Sequence, residues 1–360
     1  MHLEYSYKMG VLKYMEEGSI LYYLEETPEK LINIIDNVDQ NIQNIDSIKN
    51  INRIILIGSG TSCYAGIQAS DYIQKLTNIE TFCIYPFELE KFLINNPKNT
   101  LVIGISQSGS SATTIEALKY ASSKGAMTGT VTEDESLKIN KVADVKIYMN
   151  VGDELASTKT KGYYSTIISL MCFGLKYAKI NNLIDENTYN REINYMIESI
   201  DIYKKFYKTS LKWALDNKKI LSKSKDIKIL GSKMFYGSIL ESSLKLLESL
   251  RVPVAAYEVS EFIHGIYNAI NKDTSIIIFY NKEDKNIYEN LYSILKEWTD
   301  NIYLINHHNG LEMPENKDEY MSSLYNILPI QILSQVAAEE KGINPSIAKD
   351  PNFHKKMNSK

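Results

Sequence analysis

The sequence predicts an α/β protein in which two doubly wound parallel-sheet units follow one another. Three observations lead there. Short β-rich runs alternate with longer helical stretches, one strand–turn–helix pattern occurs twice, and the length of 360 residues suits two domains of ~100–200 residues each.

The β-rich runs are Ile54–Ile57, Leu101–Ile105, Val145–Met149, Ile227–Leu230, Ser275–Tyr280 and Ile302–Ile305, and helical patterns fall at Tyr64–Leu76, Ser111–Ser123, Leu240–Leu250 and Ile287–Trp298. Strands separated by helical patterns imply βαβ units and a parallel sheet covered on both faces, which is the doubly wound arrangement. The repeated pattern is RIILIGSGTSCYAGIQAS (Arg53–Ser70) and DIKILGSKMFYGSILESS (Asp226–Ser243). Each copy runs from a strand through a Gly-Ser turn into a helix that carries Tyr and Gly. A spacing of about 173 residues is too long for a solenoid repeat and indicates two related domains. The predicted organisation is a helical segment over 1–30, a first sheet unit over 31–180 and a charged connector of two long helices over 181–225. A second sheet unit over 226–345 and a tail over 346–360 complete it.

Composition excludes several classes of function. Apolar residues make up 44% and charged residues 23%, an ordinary globular balance that can bury a large core without staples. With a net charge of −4 and no basic block beyond His354-Lys355-Lys356, no nucleic-acid partner is expected. Cys63, Cys83 and Cys172 are odd in number and none lies in a CxxC, which suits a reducing compartment and buried, inert thiols. The N-terminus MHLEYSYKMGVLKYMEEGS has no signal-peptide apolar core, and no run reaches ~18 apolar residues. A cytoplasmic protein with no membrane association is expected. There is no HExxH, no Cys/His cluster and no EF-hand spacing, so no metal and no cofactor is expected.

Two turns carry phosphate-binding character. Gly58-Ser59-Gly60-Thr61-Ser62 follows an apolar run and opens a helix, where backbone N–H groups and the positive end of the helix can face an anion. A plain strand–helix turn would read the same. The second turn is Ser106-Gln107-Ser108-Gly109-Ser110-Ser111, after LVIGI and before TTIEALKYA. Its serines and Gln supply neutral donors for a phosphate, although a Ser-rich N-cap also fits. Neither a Walker loop nor a GxGxxG occurs in the chain.

GTS after the first strand, SQSG after a later one, and ASTK at Ala156–Lys159 resemble the isomerase half of glutamine–fructose-6-phosphate amidotransferase, a tandem sugar-isomerase (SIS) family. The likeness runs over about residues 30 to 350. It implies phosphate-binding roles for Thr61, Ser62, Ser106, Gln107, Ser108 and Ser111. It also implies substrate contacts for Gly60, Ser157, Lys159 and Glu241. Ser110 stands where the synthase commonly has Glu.

In the second unit, Glu241, Lys245 and Glu248 recur at i, i+4 and i+7 and share one helix face. An exposed ion-paired stripe has the same spacing. The stretch is similar to the synthase's ALEGALKLKE, which implies that Glu248 moves a proton between C1 and C2, with Lys245 beside it. Leu247 replaces the second Lys. A carboxylate suits such a step when burial lifts its pKa toward the working pH, and a close Lys245 would oppose that lift. The segment around His264-Gly265 resembles EAYAAGELKHGP, implying that His264 opens the sugar ring, as a group titrating near neutrality can. Ile266 replaces the Pro. In that family this loop enters the partner's active site, so a homodimer with shared sites is expected. The family's closing tail lysine corresponds to Lys355 or Lys356, with Lys349 a third candidate.

The chain reaches its first strand by about residue 54, leaving no room for a glutaminase domain, so glutamine-dependent synthesis is not expected. The resemblance implies an enzyme acting on a phosphorylated sugar: a deglycase of a fructosamine 6-phosphate, or a glucosamine-6-phosphate deaminase or aldose–ketose isomerase. A non-catalytic sugar-phosphate sensor is the third reading.

Overall fold

Ile54, Ile55, Leu56 and Ile57 have no exposed surface, so both faces of this run are covered and it serves as a central strand. The computed structural model describes residues 14–93 and 95–357. The first half contains α1 (Ile20–Asp36), β1 (Ile42–Gln43), β2 (Arg53–Ile57), α2 (Thr61–Thr77), β3 (Glu80–Ile84), β4 (Thr100–Ile105), α3 (Ala112–Ser123), β5 (Met127–Thr132), β6 (Val145–Tyr148) and α4 (Lys161–Ile180). Helix α5 (Glu186–Leu221) leads to β7 (Asp226–Gly231), α6 (Tyr236–Leu250), β8 (Val254–Glu258), β9 (Thr274–Phe279), α7 (Lys285–Leu295), β10 (Ile302–Ile305) and α8 (Leu328–Glu340).

The first sheet runs β1-β6-β5-β4-β2-β3 and the second β10-β9-β7-β8. All pairings are parallel except that of β1 with β6. The α/β class with doubly wound parallel sheets is therefore present. In each sheet the chain lays one strand beside the first and then crosses to its other side: β2 is flanked by β3 and β4, β7 by β8 and β9. Strand order reverses at these points, and the crevice above the strands' C-terminal ends is where such folds bind ligands.

The predicted strands are found within a residue of their positions, but β1, β3, β5 and β8 were not foreseen. β3 (ETFCI) and β8 (VAAYE) are partly exposed edge strands, and β5 (MTGTVT) is rich in Thr and Gly, so none presents an apolar run. The expected two connector helices are one unbroken helix of 36 residues. Its N-terminus is capped by the Asp185 side chain, which accepts from the Thr188 amide at 2.7 Å. Helix α1 lies partly within the predicted N-terminal segment, and residues 1–13 of that segment lie outside the described residues. Helices α4 and α8 are buried almost all round, as core helices are. One apolar cluster runs from α1 through both sheets to α8. Among the described residues no helix is long and apolar enough to cross a membrane.

The two halves meet where α2 packs on α6. A Cβ at Gly237 would stand 2.5 Å from the Tyr64 carbonyl oxygen and 2.8 Å from the Gln68 amide nitrogen, so the helices approach at a distance only glycine permits. Gln68 fixes the register: its Oε1 accepts from the Ser238 amide at 3.0 Å and its Nε2 donates to the Met234 carbonyl at 3.0 Å. Gly237→Ala should push the helices apart and lower unfolding free energy by about 1–3 kcal/mol, read as a drop in the urea midpoint at unchanged m-value.

Candidate active site

The two Ser-rich turns lie side by side because their strands do. β2 and β4 pair with Ile57 opposite Gly104, so the Gly58 and Ser106 turns leave the same edge of the sheet at the switch point. Gly58 has no room for a side chain: a Cβ would meet Ser62 and the Cys63 nitrogen at 3.0 Å. Gly60 takes φ 54°, a conformation that glycine adopts without cost, and α2 begins directly afterwards. Among the described residues, no backbone acceptor is found for the amides of Ser59, Ser62, Gln107 or Ser108. Ser59 and Ser62 flank the start of α2, where the first amides of a helix have no acceptor within it and an anion is favoured.

The second turn is shaped by internal bonds. The Gly109 amide donates to the Ser106 carbonyl at 2.9 Å, and the Ser106 amide donates to Val131 at 3.0 Å. Gly109 takes φ 60°. The Ser108 and Ser110 hydroxyls are bonded at 2.7 Å, and Ser111 accepts from the Thr114 hydroxyl at 3.0 Å. The Gln107 side chain lies against Gly162 at the start of α4. Ser106 is buried, while Ser62 is half-buried and Ser108 exposed.

Helix α6 brings the acid–base stripe to the first turn of α2. The Thr61 hydroxyl donates to Glu241 Oε1 at 3.1 Å. Lys245 Nζ lies 3.3 Å from Glu241 Oε1, 3.3 Å from Thr61 Oγ1 and 2.9 Å from Glu248 Oε2. Glu241 and Lys245 are buried, whereas the Glu248 side chain is 35% exposed. One cation thus faces two carboxyls, one buried and one partly exposed. Burial pushes Glu241 up to about 8, with Lys245 pulling it down and Glu248 pushing it further up. For Lys245, burial works against the ammonium, but the charges of Glu241 and Glu248 outweigh it and the group sits above its ordinary value. The carboxyl that burial lifts is Glu241, and Glu248, seven residues further along the same helix, keeps partial exposure.

The ASTK segment is held from three sides. The Ser157 amide donates to the Ser346 carbonyl at 2.9 Å, and the Thr158 hydroxyl donates to Pro345 at 2.9 Å. Lys159 Nζ donates to the Glu154 carbonyl. The buried Glu154 carboxylate accepts from the amides of Thr160, Lys161 and Gly162 at 2.6, 3.2 and 3.0 Å, capping α4 from six residues upstream. The buried Lys161 ammonium pairs with Glu26 of α1, and Tyr23 of α1 accepts from the Leu155 amide at 2.7 Å. Sequence reasoning missed Glu154, since the usual capping signal looks at the residue just before the helix.

Other predicted residues are not brought to this cluster. His264 is exposed in the turn after the short helix Val259–Phe262, and no described contact joins it to Lys245 or Glu248 of its own chain. Lys349 and Lys355 are exposed, and Lys356 pairs with Asp350 at 2.6 Å. The base of the tail does reach the site region, where the Ile347 carbonyl accepts from Arg251 at 3.1 Å. Among the described residues no group of His, Cys, Asp and Glu is arranged to hold a metal.

Comparison with known proteins adds three findings. The profile described as the SIS domain matches residues 47–176. A glutamine–fructose-6-phosphate aminotransferase (isomerizing) of Clostridium tetani is 29% identical over 317 residues, covering 82% of this chain and 50% of the relative. The chain thus spans about half the length of the curated relatives it matches. Among solved structures, a candidate phosphosugar isomerase from Clostridium difficile 630 is 37% identical with a TM-score of 0.90, covering 95% of this chain and 98% of that one. A candidate sugar-binding protein from Salmonella typhimurium LT2 is 30% identical with a TM-score of 0.77, covering 88% of this chain and 99% of that one.

The raised Glu241 carboxyl gives a signed pH dependence. The folded state keeps a proton that the unfolded chain, with its carboxyl near 4.3, gives up. The associated stability is complete below about pH 4 and lost as pH rises through about 8. Relative to Glu241→Gln, the unaltered protein should lose on the order of 1 kcal/mol or more between about pH 5 and pH 9, measured by urea unfolding at each pH.

Proposed function

The chain belongs to the SIS-domain phosphosugar isomerase family, and from that premise we propose that it is a deglycase of a fructosamine 6-phosphate. The observation that carries the reading is the direct bond between Thr61, on the phosphate-type turn of the first sheet, and Glu241, which links through Lys245 to Glu248. On this reading, anion-binding donors and an acid–base group come to one crevice from opposite halves of the chain.

In this mechanism the sugar phosphate lies against the amides and hydroxyls of the two turns, which supply neutral donors. His264 opens the ring. Glu248, partly exposed and oriented by Lys245, removes a proton from C1 of the ketosamine and returns it to C2. This passes through an enaminol to the C1 imine. Water then adds to C1, and the C–N bond breaks to give the aldose 6-phosphate and free amine. Holding one carboxylate on one face of the substrate lets the same group take and return the proton.

The exposed position of His264, away from the cluster of its own chain, supports a homodimer whose partner completes the site. Ile263 and Tyr267 on the same loop are 54% and 40% exposed, as residues of an interface are before assembly.

Purified protein incubated with fructoselysine 6-phosphate, glucosamine 6-phosphate and fructose 6-phosphate plus ammonia, with hexose phosphates followed by coupled assay, tests the reading. Turnover of the Amadori phosphate that falls about 10²–10⁴-fold in Glu248→Gln is the expected result. Turnover of glucosamine 6-phosphate alone would make the protein a deaminase, and binding without turnover would make it a sensor. Mixing inactive Glu248→Gln with inactive His264→Asn protein tests the shared site: dimers carrying one change on each chain regain one intact site, so partial activity should return. No recovery would place His264 in its own chain's site or outside the chemistry.

A further inference from the structure

Cys63 and Cys83 are 20 residues apart, yet the fold puts them in contact. Cys63 lies in the first turn of α2, between Ser62 and Tyr64, and Cys83 lies on β3, with the two sulfurs 3.9 Å apart. Gly66, one turn along α2, leaves the space the pair occupies: a Cβ there would stand 2.6 Å from Cys83 Sγ. Cys63 is buried and Cys83 is partly exposed. β3 is an edge strand whose one strand partner is β2. The third cysteine, Cys172, is buried on α4, with no described contact to either of the other sulfurs.

We propose that peroxide closes Cys63 and Cys83 into a reversible disulfide that displaces the first turn of α2 and so switches off the crevice. The displacement is a statement about the chain alone; its effect on ligand rests on the phosphosugar reading above. The chemistry balances with one peroxide per pair. The Cys83 sulfur attacks a peroxide oxygen, the O–O bond breaks, and a sulfenic acid and one water form. The Cys63 sulfur then displaces the hydroxyl from the Cys83 sulfur, forming the S–S bond, and the hydroxyl leaves with the Cys63 proton as a second water. Each sulfur loses one electron and the two peroxide oxygens gain two. Burial pushes the Cys83 thiol up, which makes the first step slow. The Cys83 S–H donating to Cys63 holds the Cys63 thiol below its ordinary value, which favours the second.

Closure moves the loop because a disulfide needs an S–S separation of about 2.05 Å, so the sulfurs must approach by nearly 2 Å. Between Gly58 and the first turn of α2 there is no slack, the position of a Gly58 Cβ lying only 3.0 Å from the Cys63 nitrogen. The same turn carries Ser62 and the Thr61 hydroxyl that bonds Glu241. Any pull on Cys63 therefore reaches both the free amides and the charge cluster.

The test compares reduced and peroxide-treated protein, alongside Cys83→Ser and Cys172→Ser. Three readouts are taken: peptide mapping after alkylation, amide exchange over residues 60–64, and retention of fructose 6-phosphate. The expected result is loss of two of the three thiols through a bond joining the Cys63 and Cys83 peptides, reversed by dithiothreitol. Exchange over residues 60–64 and sugar-phosphate dissociation should both rise about tenfold or more. Cys172→Ser should behave as the unaltered protein, and Cys83→Ser should show neither change. Thiols that stay reduced or oxidise singly would overturn the proposal, as would a bond that forms with exchange unchanged. Reduced protein that fails to retain fructose 6-phosphate would instead count against the phosphosugar reading, leaving mapping and exchange to decide the switch.

Discussion

The structure turns on a single buried ammonium. Lys245 has almost no exposed surface, and an unpaired charge in such a place would cost several kcal/mol. It is tolerated because Glu241, Glu248 and Thr61 converge on it. Two of these partners come from its own helix and one from a helix 184 residues earlier in the chain. The pairing therefore works only when α2 and α6 are seated on each other, which in turn requires the missing side chain at Gly237. Burial raises the Glu241 carboxyl, while the Glu248 side chain stays partly exposed. A separation of roles between like groups by environment is how paired carboxyls take on different chemistry.

Much of this was legible in the sequence, though unevenly. The central strands announce themselves because a strand buried on both faces is an unbroken apolar run. The stripe at 241, 245 and 248 follows from helical spacing, and the two Ser-rich turns from their place between strand and helix. What spacing does not contain is depth. It puts Glu241 and Glu248 on one face but does not say which is sealed by α2 and which meets solvent. Helix α4 escaped notice for a related reason: buried nearly all round, it lacks the polar face that makes a helix visible as a period of 3.6. Cys63 and Cys83 look unrelated along the chain because their contact crosses from helix to edge strand.

Glu154 shows a further limit. Its carboxylate satisfies three amides at the start of α4, but it reaches them from a loop whose course is set by Tyr23 and Glu26 of α1 and whose far end rests on Pro345 and Ser346. The segment is thus fixed by groups from near both ends of the chain. Local rules for caps and turns read a few neighbouring residues and are blind to such anchoring, whereas its energetic logic is ordinary: buried N–H groups must find acceptors.

The unbroken connector has a consequence for how a ligand gets in. Helix α5, 36 residues long, is a rod of about 54 Å at 1.5 Å per residue, not a hinge. The cores of the two halves are continuous across it, and α2 and α6 touch backbone to side chain. Many enzymes admit substrate by swinging one lobe away from another. This chain has spent that freedom: parting the halves would strip water-shy surface and strand a charge. The exposed pieces are smaller ones, such as the His264 loop and the tail residues 351–357. Exposed, locally held segments thus surround a frame whose two halves are tied together.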